Sequence, residues 1–207
     1  MRDPILVVGG GIGGLTAALA LGRYGYRVRV LEETPEFGAF GYGIQLGPNV
    51  FHMFDRLGLS EAILRQSILP RALVMLDALG GEEVACIPTG DSFRRRFKHP
   101  YVVLHRVDLH GVLLDACKAV PGIELMPSTA AASFEDLGED LGEGVRVVTK
   151  DGRVLEGAAV IGADGLGSAI RAQMRDEGAP RFIGYVAHRT IVPMERAPAG
   201  VRREDVV

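Results

Sequence analysis

Gly9, Gly11 and Gly14 are spaced as G-x-G-x-x-G, directly after four apolar residues, Ile5-Leu6-Val7-Val8, and ahead of an Ala/Leu-rich stretch from Leu15 to Leu21. That order reads as strand, tight turn, helix. In such a unit Gly9 permits the sharp turn out of the strand, Gly11 lets a pyrophosphate approach the main chain, and Gly14 lets the helix pack close to the strand. The N-terminal turn of the helix, with Ile12 and Gly13, offers N–H groups and a positive dipole end to phosphate. A second apolar strand, Tyr26 to Leu31, ends at Glu32, 18 residues beyond Gly14. The acid that holds a ribose hydroxyl pair is expected roughly 20 residues past the turn. A carboxylate there also repels a 2′-phosphate, which disfavours NADP in this site.

Around this unit the chain has the make-up of a globular protein of one or two domains: 207 residues, 47% hydrophobic and 24% charged. The net charge of −3 excludes a strongly basic nucleic-acid binder, and Arg94-Arg95-Arg96 is too short a run to change that. Cys86 and Cys117 lack metal-type spacing and read as reduced thiols. No apolar run reaches the ~18 residues of a membrane span. The chain enters its first strand almost at once, so no signal peptide and a cytoplasmic location are expected. His105, His110 and His188 have no Cys or His partner at ligand spacing and read as structural. No serine lies in a nucleophile elbow, as suits an enzyme whose cofactor carries the hard chemistry.

Along the chain, residues 4–32 form the opening βαβ unit, with Gly25 near the helix C-cap. Residues 33–49 read as a glycine-rich loop without period, of the kind that is usually functional. Pro48 opens a helix to Leu57, and Ser60 is expected to N-cap a short helix to Gln66. Residues 73–78 and 83–87 read as a hairpin. Asp91 to Lys98 reads as a charged connector, and Arg94, Arg95, Arg96, Lys98 and His99 as a solvated face. Tyr101 to Arg106 is extended, and Asp108 is expected to begin a helix running to Ala119. Ile123 to Met126 is a strand, and segments near 130–135, 145–149 and 153–155 suggest a meander turning at Asp151-Gly152. Ala158 to Gly162 reads as a buried parallel strand followed by a helix to about Met174. Phe182 to Val192 reads as extended again, and the end at Val207 reads like that of a cut chain.

Three stretches together resemble one family. His105-Arg106-Val107-Asp108-Leu109 lies where a strand hands over to a helix, and Gly162-Ala163-Asp164-Gly165-Leu166-Gly167-Ser168 lies after a strand. Gly41-Tyr42-Gly43-Ile44-Gln45-Leu46-Gly47-Pro48-Asn49 is similar to a loop that family members place beside a flavin ring, with Tyr42 where a small alanine is usual. The family is that of the FAD-dependent aromatic hydroxylases, the para-hydroxybenzoate hydroxylase superfamily. Within it, Asp91 to Phe97, Pro100 to His110 and Gly184 to Arg189 resemble 3-hydroxybenzoate 6-hydroxylases and salicylate hydroxylases.

The resemblance implies a doubly wound α/β domain, Rossmann-like and of the glutathione-reductase type, that binds FAD and is followed by the beginning of a mostly antiparallel substrate-domain sheet. Its segments are expected at 1–71 and 99–178 for the FAD domain, with 72–98 and 179–207 in the substrate domain. It implies cofactor contacts from Gly9, Gly11, Ile12, Gly13, Gly14, Glu32, Gly43, Gln45, Arg106, Thr129 and Asp164. Arg106 would reach the FAD phosphate or ribose, and Asp164 would serve both FAD and the nicotinamide nucleotide. Without the resemblance, Arg106 could be a surface charge and Asp164 a turn or capping aspartate.

The implied reaction is hydroxylation of a phenolic or aromatic carboxylic acid, with NADH or NADPH as transient co-substrate and O2 as oxidant. No nucleic acid, membrane span or metal enters it, and the longer protein is expected to be a homodimer. The family continues for about another chain length, so the catalytic side chains are expected beyond Val207. Two rivals share the opening motif: an NAD-binding dehydrogenase, which gives Asp164 no role, and a non-catalytic FAD-binding fragment.

Overall fold

The computed structural model describes residues 3–38, 41–138, 144–175, 178, 181–197 and 204–206. In chain order the elements are β1 (Ile5–Val8), α1 (Ile12–Arg23), β2 (Val28–Leu31), β3 (Gly43–Leu46), α2 (Pro48–Arg56), α3 (Ser60–Arg65), β4 (Ser67–Ile68), β5 (Ala72–Leu76) and β6 (Glu83–Pro88). They continue as α4 (Asp91–Phe97), β7 (Val102–His105), α5 (Arg106–Lys118), β8 (Ile123–Met126), β9 (Ala131–Asp136), β10 (Val145–Thr149), β11 (Val154–Gly157), β12 (Ala159–Gly162) and α6 (Ala169–Met174), with a short 3-10 turn at Met194–Arg196. The chain divides into two compact units, Met1–Ala39 with His110–Tyr185, and Phe40–Leu109 with Val186–Val207.

The first unit holds a parallel sheet in the order β12-β1-β2-β8. Val7 pairs with Ile161 on one side and with Val30 on the other, and Val30 pairs in turn with Leu125. Leu15, Ala18 and Leu19, spaced for one helical face, are fully buried along α1. Burying each leucine contributes roughly 1.5–3 kcal/mol. An antiparallel meander, β11-β10-β9, shares one core with the parallel sheet. Leu6, Val8 and Leu31 meet Val147 of β10 and Ile170 of α6 there, with Phe134 and Leu155 packed against them. On the exposed side of the meander Arg146 bridges Glu135 and Glu156, the residues opposite it on β9 and β11.

Helix α5 is tied to this unit by Cys117, whose buried thiol donates to the Leu15 carbonyl at 3.3 Å. Burial pushes the thiol from its ordinary value of 9.0 up to about 11, so it remains a protonated donor at neutral pH.

The second unit has an antiparallel sheet, β3-β7-β4, and the hairpin β5-β6. Phe51, Phe54, Leu57 and Ile63 of the α2–α3 pair are buried, as are Val102 and Leu104 of β7. Residues 204–206 pair alongside β5: the Val206 N–H donates to the Ala72 carbonyl, the Val206 carbonyl accepts from the Val74 N–H, and Arg71 pairs with Glu204. Among the described residues no helix is long and apolar enough to cross a membrane.

The opening βαβ unit, the 72–88 hairpin, the 131–157 meander and α6 lie where the sequence puts them. Seven expectations are corrected. The 33–49 stretch is not all loop, because Gly43–Leu46 is a strand whose partner, Val102–His105, comes from 60 residues away in the chain; residues 39 and 40 fall outside the described ones. Ser60 is not the N-cap: Leu59 is, and the Ser60 hydroxyl donates to the Asp55 carboxylate. Asp91–Phe97 is a helix rather than a connector, with Asp91 in its first turn and the three arginines in its last, matching the dipole. Arg94, Arg95, Arg96 and Lys98 are exposed, but His99 is half-buried, stacked on Phe51 and 3.3 Å from the Asp55 carboxylate. Helix α5 begins at Arg106, not Asp108, because the Arg106 N–H bonds the Tyr42 carbonyl. Strand β12 is an edge strand with exposed ends rather than a buried one, and residues 182–192 form no strand, with Phe182, Ile183 and Tyr185 largely exposed.

The Cys117 thiol makes a test of the core. An unfolded thiol ionises near pH 9 and the folded one only near 11, so unfolding releases a proton in that window and stability falls as pH rises through it. Urea midpoints should therefore drop between pH 8.5 and 10.5 more steeply for the wild type than for Cys117→Ala. Equal slopes would place the thiol in water.

Candidate functional site

At the carboxyl end of β1 the chain makes its turn with Gly9 at φ +107°, a conformation that side chains resist. Its N–H bonds the Leu31 carbonyl at the end of β2. A methyl group at Gly9 would run into the Ala163 carbonyl, and one at Gly14 would overlap the carbonyl oxygen of Gly9 itself. Gly9 and Gly14 are thus close-packing glycines. Gly11 and Gly13 differ: a Cβ at either would have no atom within 4 Å. The space beside them is open, as a ligand cradle requires. Gly11 caps α1 without a side chain, and the first turn of the helix carries no acid. Among the described residues, then, no capping side chain and no first-turn acid answers the dipole and the N-terminal N–H groups.

Glu32 follows β2 directly. Its Oε2 accepts from the Gly10 N–H at 2.8 Å and its Oε1 from the Thr34 N–H at 2.9 Å. The Thr34 hydroxyl lies 2.8 Å from Oε1 and 2.6 Å from the Glu36 carbonyl, and its one proton serves one of the two. A carboxylate has about four lone-pair sites, so acceptor capacity remains. The Glu32 carbonyl accepts from the Thr129 N–H at 2.7 Å. Thr129 is buried, and its hydroxyl donates to the Pro127 carbonyl. Asp164 lies past β12, its main-chain nitrogen beside Gly9. Its carboxylate accepts from the Ser168 hydroxyl at 2.5 Å and from the Ile170 N–H at 3.3 Å, while Ser168 caps α6 through the Arg171 N–H. The capping reading of Asp164 therefore describes its carboxylate.

The first unit thus gathers Gly9, Gly11, Ile12, Gly13, Gly14, Glu32, Thr129 and Asp164 at the carboxyl ends of its parallel strands, where open α/β sheets take ligands. Gly43, Gln45 and Arg106 belong to the second unit. Gly43 pairs with His105, next to Arg106, and the aliphatic stem of Arg106 lies against Gly41. Gln45 accepts from the Tyr101 hydroxyl. Arg106 follows a strand of the antiparallel sheet, not of the parallel one.

Sequence reasoning overlooked Gly10. A Cβ there would come within 2.5 Å of the Phe37 ring and 2.8 Å of Glu32 Oε2. Nothing in the G-x-G-x-x-G spacing marks it, since its neighbours come from elsewhere in the chain.

A strand-turn-helix with an open glycine cradle, an uncapped helix start and an acid closing the second strand defines a dinucleotide-binding domain of the doubly wound class. The chain belongs to the FAD binding domain family, whose model matches residues 2–186. The 3-hydroxybenzoate 6-hydroxylase of Polaromonas naphthalenivorans is 45% identical over 199 residues, 96% of this chain and 48% of that protein. The 6-hydroxynicotinate 3-monooxygenase of Bordetella bronchiseptica is 35% identical over 93% of this chain and 48% of its own length. Among solved structures, the tetrameric form of 2-methyl-3-hydroxypyridine-5-carboxylic acid oxygenase superposes with a TM-score of 0.71 at 28% identity, over 84% of this chain and 42% of that one. A flavin-dependent monooxygenase, PieE, solved with FAD and substrate, gives 0.69 at 27% identity over 84% and 32%. The chain spans about half the length of the curated relatives it matches.

The two kinds of glycine separate experimentally. Gly11→Val adds a side chain where the fold has room, costing about 1 kcal/mol or less at an N-cap, and should abolish FAD uptake. Gly14→Ala forces atoms into a main-chain oxygen and should cost about 1–3 kcal/mol of stability or more. Thermal unfolding and FAD titration of both variants check this; a Gly14→Ala protein with the wild-type midpoint would contradict the packing.

Proposed function

We propose that the whole protein is an FAD-dependent monooxygenase that hydroxylates a phenolic or aromatic carboxylic acid at the expense of NADH or NADPH and O2. The observation that carries the reading is the open, uncapped glycine turn closed by Glu32, in a chain whose relatives include hydroxylases of 3-hydroxybenzoate at up to 45% identity. Bound FAD would take electrons from the nicotinamide and supply the oxygen chemistry.

The part of the chain itself is to hold and orient. Gly11, Ile12 and Gly13 are read as the phosphate cradle, with the α1 dipole behind them. Glu32 is read as an acceptor for a ribose hydroxyl, through the lone-pair capacity left beside the bonds it accepts from the Gly10 and Thr34 N–H groups. Thr129 supports Glu32 through the main chain rather than by its buried hydroxyl. Gly43, Gln45, Arg106 and Asp164 keep the cofactor roles that the family resemblance gives them. On this reading residues 72–98 and 179–207 belong to a substrate domain, the catalytic side chains lie beyond Val207, and the protein works in the cytoplasm as a homodimer.

The 207-residue chain should turn yellow with FAD but release no hydroxylated product, while the chain extended to the relatives' length should couple NAD(P)H oxidation to hydroxylation of 3-hydroxybenzoate or salicylate. Glu32→Ala should weaken FAD by about 1.5–3 kcal/mol for the charge-assisted bond lost. A protein that stays colourless through an FAD titration would sink the cofactor assignment, and an unchanged FAD dissociation constant would remove Glu32 from it.

A further inference from the structure

Gly10 is held from both sides. Its N–H is taken by Glu32, and its carbonyl oxygen lies 2.8 Å from Nε2 of His110, on α5. His110 is only 3% exposed and belongs to the same compact unit as the turn. A carbonyl can only accept, so Nε2 carries the proton in this contact. The contact is anchored a second time two helical turns further along α5, where Cys117 donates to the Leu15 carbonyl.

The Gly10 carbonyl and the Gly11 N–H belong to one peptide group. That group is planar and trans, so the two point in opposite directions. Drawing the carbonyl toward the buried His110 therefore turns the Gly11 N–H away from α5. Among the described residues nothing accepts from that N–H, and the space around Gly11 is open. The peptide lies between two glycines, the residue pair with the least intrinsic resistance to a flip of the plane. A flipped plane would present an oxygen where a phosphate needs a donor.

We propose that His110 is a positioning residue of the dinucleotide site: it locks the Gly10–Gly11 peptide plane so that the Gly11 N–H faces the ligand's phosphate. This rests on the FAD reading only for the identity of the ligand. The lock itself is a property of the protein alone. It gives His110, which the sequence marks as merely structural, a part in binding without any contact to the ligand.

Three variants test it. His110→Leu keeps an apolar side chain of useful size and removes the donor. His110→Gln can return an N–H to about the same place, and His110→Asn carries the donor but falls short. FAD dissociation constants should rise about tenfold for Leu and Asn, the effect of leaving one buried carbonyl unpaired, and return to within about threefold of wild type for Gln. In the flavin-free protein, the amide chemical shifts of Gly11, whose N–H belongs to the locked peptide, should move in Leu and Asn and return to the wild-type values in Gln. If the Leu protein does not fold, the contrast between Gln and Asn decides alone. Equal FAD affinity across the variants would overturn the role in binding. Unchanged Gly11 shifts across the variants would overturn the lock whether or not flavin binds, whereas the expected shift pattern in a protein that takes up no flavin would sink the cofactor reading and leave the lock standing.

Discussion

A methyl group on Gly14 would overlap the carbonyl oxygen of Gly9, five residues earlier. That approach of a helix to the strand feeding it sets the site. With α1 pressed onto the end of β1, its positive end faces the open space beside Gly11 and Gly13, at the carboxyl edge of the parallel sheet. The rest of the first unit reinforces the approach. Leu15 and Leu19 bury the underside of the helix, Gly9 is tied to β2, and the Ala163 carbonyl closes the far side of the turn.

At the turn the two acids are held by donors of the chain, while the first turn of α1 carries no acid. Glu32 is held by Gly10 and Thr34, and Asp164 is turned toward Ser168 and the start of α6. Helix α6 has a side-chain cap while α1, like α2, α3 and α4, has none. A glycine at the N-cap costs only about 0.3 kcal/mol against serine or asparagine. What sets α1 apart is the open space beside Gly11 and Gly13, which leaves room for an anion at its start. The energetic burden is carried by packing, since the core beneath joins the parallel sheet, the meander and α6 in one cluster.

The chain spans about half the length of the curated relatives it matches, and its two units differ in how far their apolar residues are covered. The first has its sheet, its core and a complete turn. In the second, the hairpin β5-β6 leaves Met75, Val84 and Ile87 exposed, and residues 182–192, read from the sequence as extended, have no strand to pair with among the described residues. Extended segments become strands only when another edge supplies the hydrogen bonds.

Local chemistry determined much of this protein. The apolar run before the glycines, the glycine spacing, the acid closing the second strand and the period of two through the meander each act within about 20 residues of chain, and all were legible as strand, turn, helix and dinucleotide site. Where partners lay far apart, the sequence was silent or misleading. Gly43–Leu46 became a strand because Val102–His105 pairs with it, α5 began early because of Tyr42, and β12 proved an edge because nothing in its own residues says which strands lie beside it. Gly10 was invisible for the same reason, its neighbours being Phe37, Glu32 and His110. Propensity and spacing are properties of neighbours along the chain. Pairing, burial and the direction of a single peptide plane are set by neighbours in space, and only the folded molecule decides those.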